Sequence, residues 1–233
     1  MDMTTDIGAG GEACPYRWRP MYWTVDGVEY CNERAIATQQ TGFWLMGQAR
    51  PNKVGILWFG TDDAATSPLT PIYVNSQEVP ECLKEGNGTM LKYSDSSMFW
   101  ITNRVAQFAY LRYNIVGKHV RTEIDKWENA MIEQVKKIDI AMGNVGYKPK
   151  KVKKIATEFS VATAQTLFNN WVNLDKYLMV KYIDGNVKGE DENGFIDNGN
   201  GLDIPGKIEQ PGYTEHWKRA VAKDKGEILK VVK

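Results

Sequence analysis

Apolar and polar residues alternate with a strand-like period in the first part of the chain and with a helix-like period in the second. Two runs rich in aromatic and branched side chains, residues 43–48 and 54–59, flank a polar linker at 49–53 and predict a β-hairpin. The second run is apolar at nearly every position, so both of its faces are expected to be covered.

Shorter patterns on either side of this hairpin predict more strands. Residues 21–25 and 28–31 predict another hairpin around the two-residue turn between them. Residues 69–74 predict an edge strand, since Pro68 and Pro71 disfavour a central position in a sheet.

The helical pattern starts after a Gly-Asn-Gly turn at residues 86–88. Apolar residues at helical spacing predict a helix from Met98 to Ile115 and a second from Val120 to Met142. Pro149 suits the first turn of a short helix reaching residue 159. Ser160 is then expected to cap a further helix, with an apolar stripe that reaches Leu178.

Strands followed by helices indicate an α+β fold, with an antiparallel sheet followed by a helical layer. Residues 1–93 form the β-rich part, and residues 94–233 form the helical layer and a C-terminal extension of the same structural unit. Such a sheet and helix pair is half of a four-layer αββα sandwich. The strands near Ile56 therefore require a second sheet, from a missing N-terminal half or from another copy of the chain.

Composition narrows the class of protein. A chain of 233 residues with 42% hydrophobic and 25% charged residues can bury an ordinary core. The formal net charge is zero, so no general affinity for polyanions follows and no nucleic-acid partner is expected. No apolar run approaches the ~18 residues of a membrane span, and no signal peptide is evident, which leaves the localisation open.

Polar residues that can bind a peptide cluster at the ends of the central hairpin. The arginine among them offers a rigid fork for a carboxylate, either the C-terminus of a dipeptide or an acid that orients a nucleophile. An aspartate there can hold a free α-amino group. Alternatively, the arginine pairs with an aspartate across the sheet and the glutamines satisfy strand ends; the residues leave both readings open. The candidate substrate-binding residues are Arg34, Gln39, Gln40, Thr41, Asp62, Asp63 and Tyr73.

Several short segments of the sequence resemble segments of a known family. They include NERA at 32–35, TQQTGF at 38–43, GILWFG at 55–60, NRVA at 103–106, DNGNG at 197–201 and QPGY at 210–213. In these segments the chain resembles the C-terminal half of bacterial dipeptidases related to the secernins. The resemblance implies an N-terminal-nucleophile fold whose catalytic cysteine is the first residue of the processed chain.

That chemistry requires no histidine, because the α-amino group of the cysteine, with a pKa near about 8, can serve as the base. Cys14 is the cysteine nearest the start of this chain, but the resemblance places it in a loop well after the catalytic cysteine. Cys31 falls in a predicted strand and Cys82 in a turn after Pro80. The nucleophile is therefore expected in a missing N-terminal segment, with Arg34 as an orienting group.

These observations predict a cysteine-type dipeptidase that hydrolyses short peptides, with this chain inactive by itself. The alternative is a catalytically inactive binding or assembly module of the same fold. The expected partners are a dipeptide and the N-terminal half of the enzyme or another copy of the chain, with no cofactor and no metal. A partial calcium-loop pattern begins at Asp184, but Phe195 stands where the last ligand is required, so a polar turn is favoured. Carbohydrate binding through the eight tryptophans is a third hypothesis.

Overall fold

The chain has an α+β fold, as the order of the patterns predicts. A computed structural model describes residues 22–31, 37–213 and 215–231. The strands are β1 (Tyr22–Val25), β2 (Val28–Cys31), β3 (Phe43–Gln48), β4 (Ile56–Thr61), β5 (Thr70–Tyr73), β6 (Val187–Lys188), β7 (Glu190–Asp191), β8 (Gly194–Phe195) and β9 (Ile208–Glu209). The α-helices are α1 (Met98–Leu111), α2 (Lys118–Asn144), α3 (Pro149–Tyr182) and α4 (Glu215–Leu229).

Both predicted hairpins and the predicted edge strand are present. Strands β1 and β2 form a two-stranded antiparallel sheet, and β3, β4 and β5 form an antiparallel sheet in that order. The register pairs Phe43 with Thr61 across β3 and β4, and Ile56 with Tyr73 across β4 and β5. The short ribbons β6–β9 and β7–β8, which the apolar pattern did not reveal, follow α3.

The central strand is covered and its neighbour is not. Along β4 every residue is buried or half-buried, which confirms the prediction from its continuous apolar pattern. On β3, by contrast, Phe43 is 60%, Leu45 53% and Met46 54% exposed. The described residues therefore leave the apolar side chains of β3 in contact with solvent.

Helix α3 closes the opposite edge of the sheet. The backbone N–H of Tyr73 on β5 donates to Ser160 Oγ at 3.0 Å, and the N–H of Gln77 donates to Thr157 Oγ1 at 2.9 Å. The prediction that a new helix begins at Ser160 is wrong, because α3 runs unbroken from Pro149 to Tyr182. The Ser160 hydroxyl accepts a hydrogen bond from the sheet edge, so an edge that would otherwise be unpaired is satisfied.

A buried ionic group fixes the turn of the central hairpin on α2. Arg50 donates to both oxygens of Asp139, at 2.7 and 3.2 Å, and Lys53 reaches the same carboxylate at 3.3 Å. Tyr73 completes the group with a 2.9 Å hydrogen bond from its hydroxyl to Asp139. Because Asp139 is buried, loss of any one partner leaves a poorly compensated charge.

The junction between α1 and α2 also differs from the prediction. The first helix ends at Leu111 rather than near Ile115, and a turn of π-helix spans Tyr113–Gly117. Arg112 leaves the helical conformation, and its guanidinium donates to the Gly185 carbonyl at 2.8 Å. This tertiary bond connects the end of α1 to the segment after α3.

Among the described residues, no helix is both long enough and apolar enough to cross a membrane.

Candidate functional site

A cavity of about 680 Å³ lies beside the ends of β3 and β4. Its walls come from residues 39–43, from the loop at 82–90 and from the first turns of α1, where Phe99, Trp100 and Asn103 face it. Phe59 and Thr61 of β4 also line it. This volume falls in the range of sites that bind small molecules, roughly 300–1,000 Å³.

The loop at 82–90 is held in shape by one asparagine side chain. Asn87 Nδ2 donates to the carbonyls of Glu81 and Ser96, at 3.0 and 3.1 Å, and its Oδ1 accepts from the Ser94 hydroxyl at 2.6 Å. Gly88 has a φ of 84°, which confirms the predicted turn. A Cβ there would meet Trp100 Nε1 at 3.1 Å, so glycine also permits close packing of the loop on α1.

Part of the predicted substrate-binding set comes together at this cavity. Gln39, Gln40 and Thr41 all line it. Asp62 lies directly behind the cavity wall, since its backbone N–H donates to the carbonyl of the wall residue Gly42 at 2.9 Å. The side chain of Asn103, which lines the cavity, lies near the Asp62 carboxyl and stabilises its charged form.

Asp62 combines burial, an unusual backbone and an unsatisfied oxygen. The residue is 1% exposed and has a φ of 71°, a left-handed conformation that is uncommon for a residue other than glycine. Its Oδ2 is buried with no hydrogen-bond partner among the described residues. Buried polar atoms are nearly always paired, so such an atom marks a candidate functional position.

The electrostatics of Asp62 follow from this environment. Burial raises the pKa of its carboxyl from 3.8 to about 7, and the neighbouring Asp63 carboxylate adds to the increase. The nearby Asn103 side chain favours the charged form and limits the increase. The carboxyl therefore changes its charge in the neutral pH range, where a peptidase acid or binding group is useful.

Asp63 has a different environment although it is the next residue. Its Oδ1 accepts from the backbone N–H groups of Ala65 and Thr66, at 2.7 and 3.1 Å, and its Oδ2 accepts from the Thr66 hydroxyl at 2.8 Å. The Tyr110 hydroxyl also donates to Oδ2. Asp63 thus holds the turn after β4 in shape.

The remaining predicted residues lie away from this cavity or outside the described ranges. Tyr73 is fully buried and its hydroxyl is bonded to Asp139, so it belongs to the core between β5 and α2. Arg34 and Cys14 lie outside the described residues, and their predicted roles stay predictions.

The two cysteines that the structure describes differ sharply. Cys31 is exposed on β2, whereas Cys82 is 3% exposed and its Sγ lies 3.8 Å from the Ala164 carbonyl. Burial raises the pKa of the Cys82 thiol to about 11. A thiol that stays protonated at neutral pH is a poor nucleophile, so Cys82 does not suit that role although it borders the cavity.

Sequence reasoning missed Asn103 and Trp100 as cavity residues. In the sequence Trp100 is marked only as one of eight tryptophans, and Asn103 only as part of the NRVA segment at 103–106. Helical periodicity places each beside the apolar stripe of α1 but does not indicate what faces that side. The feature of the sequence that could have indicated this site is Asp62, because an aspartate that follows a strand can adopt a left-handed backbone conformation.

A larger cavity, of about 1060 Å³, lies between α2 and α3. His119 borders it and its Nδ1 lies 2.9 Å from the Tyr182 hydroxyl, while burial lowers the pKa of the imidazole. We favour the smaller cavity as the candidate site because it adjoins Asp62, whose Oδ2 lacks a partner among the described residues, and because three predicted residues line it.

Acidic residues elsewhere do not form a metal centre in the described ranges, where no group of three or more histidine, cysteine, aspartate or glutamate side chains converges. In the segment that resembles part of a calcium loop, Asp191 Oδ1 accepts from the Asn193 N–H at 2.8 Å. Its carboxylate thus forms a polar turn with its own backbone.

An α+β chain with a peptide-sized cavity and a buried acidic group fits the class of peptidases, and comparison with protein families identifies the group within it. The model of peptidase family C69 matches residues 5–126, just over half of the 233 residues. The chain therefore belongs to peptidase family C69, a family of cysteine peptidases, and a peptidase function follows in general terms. Comparison with curated proteins found no match. Every residue named above as lining the 680 Å³ cavity lies inside the matched segment, and so does Asp62.

Proposed function

We propose that this chain is the C-terminal portion of a cysteine-type dipeptidase and that the 680 Å³ cavity binds the peptide. The observation that carries the proposal is the buried Asp62 carboxyl, which stands behind the cavity wall and has one oxygen without a partner in the part of the chain that the structure describes. Membership of a peptidase family gives the reaction class. The small size of the cavity favours short peptides over protein chains.

The cavity walls suit a substrate with two side chains and several polar backbone groups. Phe43, Phe59 and Trp100 supply apolar surface for side chains. Gln39 and Thr41 supply groups that can donate to and accept from a peptide bond. In this proposal Asp62 provides the negative charge that favours binding of a free α-amino group.

The nucleophile in this proposal is an N-terminal cysteine outside the chain. Its thiolate attacks the peptide carbonyl carbon, and the C–N bond breaks as the leaving amine takes up a proton. Water then cleaves the resulting thioester, which releases the acid and restores the thiol. Neither described cysteine suits this role, since Cys82 is buried with a raised pKa and Cys31 lies on the separate β1–β2 sheet.

The exposed side chains of β3 support a partner layer in an αββα sandwich. Phe43 and Leu45 are two residues apart and therefore lie on one face of the strand, where they are 60% and 53% exposed. Covering the exposed part of each is worth roughly half of the about 1.5–3 kcal/mol for a fully buried apolar side chain, which gives a second sheet a favourable docking surface. In this proposal that second sheet carries the nucleophilic cysteine.

The test is co-expression of this chain with the segment encoded immediately upstream, followed by a dipeptide hydrolysis assay. We expect thiol-dependent hydrolysis by the pair and none by this chain alone. Mass measurement of the mature partner should show cysteine as its first residue. Hydrolysis by this chain alone, abolished by Cys14→Ala, would instead place the nucleophile at Cys14.

The exposed face of β3 also favours a second candidate, a binding or assembly module without catalysis. If this candidate is correct, this chain and the upstream segment form a stable complex that does not hydrolyse dipeptides. The same co-expression therefore separates the two functions, provided the complex is first isolated by size-exclusion chromatography.

A further inference from the structure

We propose that the cavity of about 1060 Å³ between α2 and α3, here called the α2–α3 cavity, binds an uncharged apolar amide, such as the interior of an apolar peptide. This second binding site is separate from the 680 Å³ cavity, since no described residue lines both. The inference goes beyond the proposed function and does not depend on peptidase activity. It rests on an unpaired donor in the cavity wall, on the apolar surface around that donor and on the charges at the rim.

One wall of the α2–α3 cavity holds a hydrogen-bond donor without an acceptor. Trp171 of α3 lines the cavity and is 2% exposed, and its Nε1 is buried with no hydrogen-bond partner in the part of the chain that the structure describes. Buried indole N–H groups usually have an acceptor, because an unpaired one has lost its bonds to water. Since the nitrogen is buried, the ring has to turn slightly to reach an acceptor in the cavity.

The facing helix carries a second tryptophan whose indole is satisfied. Trp127 of α2 also lines the cavity and is 7% exposed, but its Nε1 donates to the Leu69 carbonyl at 3.0 Å. Both tryptophans therefore give the cavity apolar surface, whereas only Trp171 has a donor available for a ligand. Trp127 thus serves as an internal control for Trp171.

The surroundings of Trp171 favour an uncharged acceptor. Met131 and Leu174 line the cavity beside the two tryptophans, and they are 9% and 8% exposed. Burying a charge against such apolar side chains costs far more than burying a carbonyl group that is hydrogen-bonded. An amide carbonyl therefore suits the Trp171 N–H, and an apolar side chain of the same ligand can pack on Met131 and Leu174.

The charged side chains of the cavity largely neutralise one another. Lys126 Nζ lies 2.6 Å from Glu123 Oε1, and Lys181 is paired with Glu190. Lys118 is the remaining charged residue of the lining in the described ranges, and it is exposed, so water and salt screen it. The cavity therefore offers no strong attraction to an anion or a cation.

The ribbon of β7 and β8 forms one end of the α2–α3 cavity. Glu190 on β7 lines the cavity, and Phe195 on β8 stacks on Tyr177 of α3 with ring centroids 5.5 Å apart. Tyr177 also meets the His119 ring edge-on at 5.2 Å, and His119 Nδ1 lies 2.9 Å from the Tyr182 hydroxyl. Contacts among protein groups thus hold this end in shape, which lowers the ordering cost of binding.

The test is titration of the chain with N-acetyl-leucine amide, followed by isothermal titration calorimetry. This probe is uncharged and lacks the free α-amino group that the 680 Å³ cavity is proposed to bind. N-acetyl-leucine has the same side chain but carries a carboxylate, and it should bind about tenfold more weakly or worse. Equal or tighter binding of N-acetyl-leucine would overturn the assignment of an uncharged ligand.

Two substitutions by tryptophan locate the site. Ala130 is exposed at the rim of the α2–α3 cavity, so Ala130→Trp should obstruct the cavity and weaken binding of N-acetyl-leucine amide by about tenfold or more. Ala162→Trp, at an exposed position of α3 outside the lining, is the matched control and should leave the dissociation constant unchanged. Unchanged binding by Ala130→Trp would overturn the proposed site.

The indole N–H signals in nuclear magnetic resonance spectra of the chain test the donor itself. When N-acetyl-leucine amide is added, the Trp171 signal should move to lower field because its N–H gains an acceptor, and the Trp127 signal should move much less. Trp171→Phe and Trp127→Phe assign the two signals. Trp171→Phe should also weaken binding by about threefold to tenfold, the effect of one hydrogen bond, and Trp127→Phe should weaken it less.

These outcomes are separate from those that test the dipeptidase. If N-acetyl-leucine amide does not bind at millimolar concentrations, the inference is wrong and the proposed function is unaffected. Binding without a shift of the Trp171 signal would also overturn the inference, because the unpaired N–H would then play no part. Failure of the co-expressed pair to hydrolyse dipeptides would overturn the proposed function and leave the α2–α3 site standing.

Discussion

At the residue scale, Asp62 makes the stability of the chain depend on pH. Its pKa is about 7 in the folded chain and 3.8 in the unfolded chain, so the folded state binds the proton more tightly than the unfolded state. The resulting stabilisation is complete below about pH 4 and is lost as the pH rises to about 7. Asp62→Asn lacks this loss and should exceed the wild type in free energy of unfolding by about 2–4 kcal/mol at pH 8.

Urea denaturation of both proteins between pH 4 and pH 8 measures this difference. Asp95→Asn, at an exposed position before α1, is the control. A constant offset between wild type and Asp62→Asn across this range would show that the folded chain does not raise the pKa of Asp62.

At the scale of elements, the Ser160 hydroxyl supplies a hydrogen bond between α3 and the sheet edge. Ser160→Ala leaves the buried N–H of Tyr73 without its acceptor and should cost about 1–3 kcal/mol of unfolding free energy. Thr166→Ala on the exposed face of the same helix should change it by less than about 0.5 kcal/mol. Thermal unfolding followed by circular dichroism compares the two variants, and equal effects would mean that the sheet edge gains nothing from Ser160.

At the scale of the whole molecule, the exposed side of β3 is the surface expected to meet the proposed partner layer. Leu45→Lys should change the unfolding free energy of the free chain by about 0.5 kcal/mol or less, because Leu45 is 53% exposed. It should also prevent co-purification with the upstream segment. Ile140→Lys, at a 65% exposed position on α2, is the control and should leave association intact. Undiminished association of Leu45→Lys would exclude β3 as the docking surface.

Most strands and helices of the main sheet and the helical layer could be predicted from the sequence. Burial of one side of a strand or helix makes apolar residues recur at the period of that element. The hairpin at β3 and β4 and the long helix α2 follow directly from that local rule. The rule failed at Ser160, where a residue suited to a cap instead bonds to a strand 87 positions away. It failed again after Leu111, where the tertiary bonds of Arg112 accompany the change from α to π geometry.

Only part of the candidate site could be predicted from the sequence pattern. Gln39, Gln40 and Thr41 were found because polar groups at the end of an apolar hairpin are unusual. The sequence could not separate Asp62 from Asp63, since adjacent aspartates have the same local pattern. Their roles diverge because the turn directs one carboxylate to backbone N–H groups and leaves the other buried beside Asn103.

The sequence alone determined the α+β class, the order of a strand-rich part before a helical part, and the peptidase family, because these depend on local periodicity and on short runs of adjacent residues. The tertiary structure decided which polar groups meet. Distances between Asp62, Asn103 and the cavity depend on how α1 packs against β4, and no local pattern encodes that packing. Burial then sets the charge of Asp62, since desolvation is a property of the assembled core rather than of the residue.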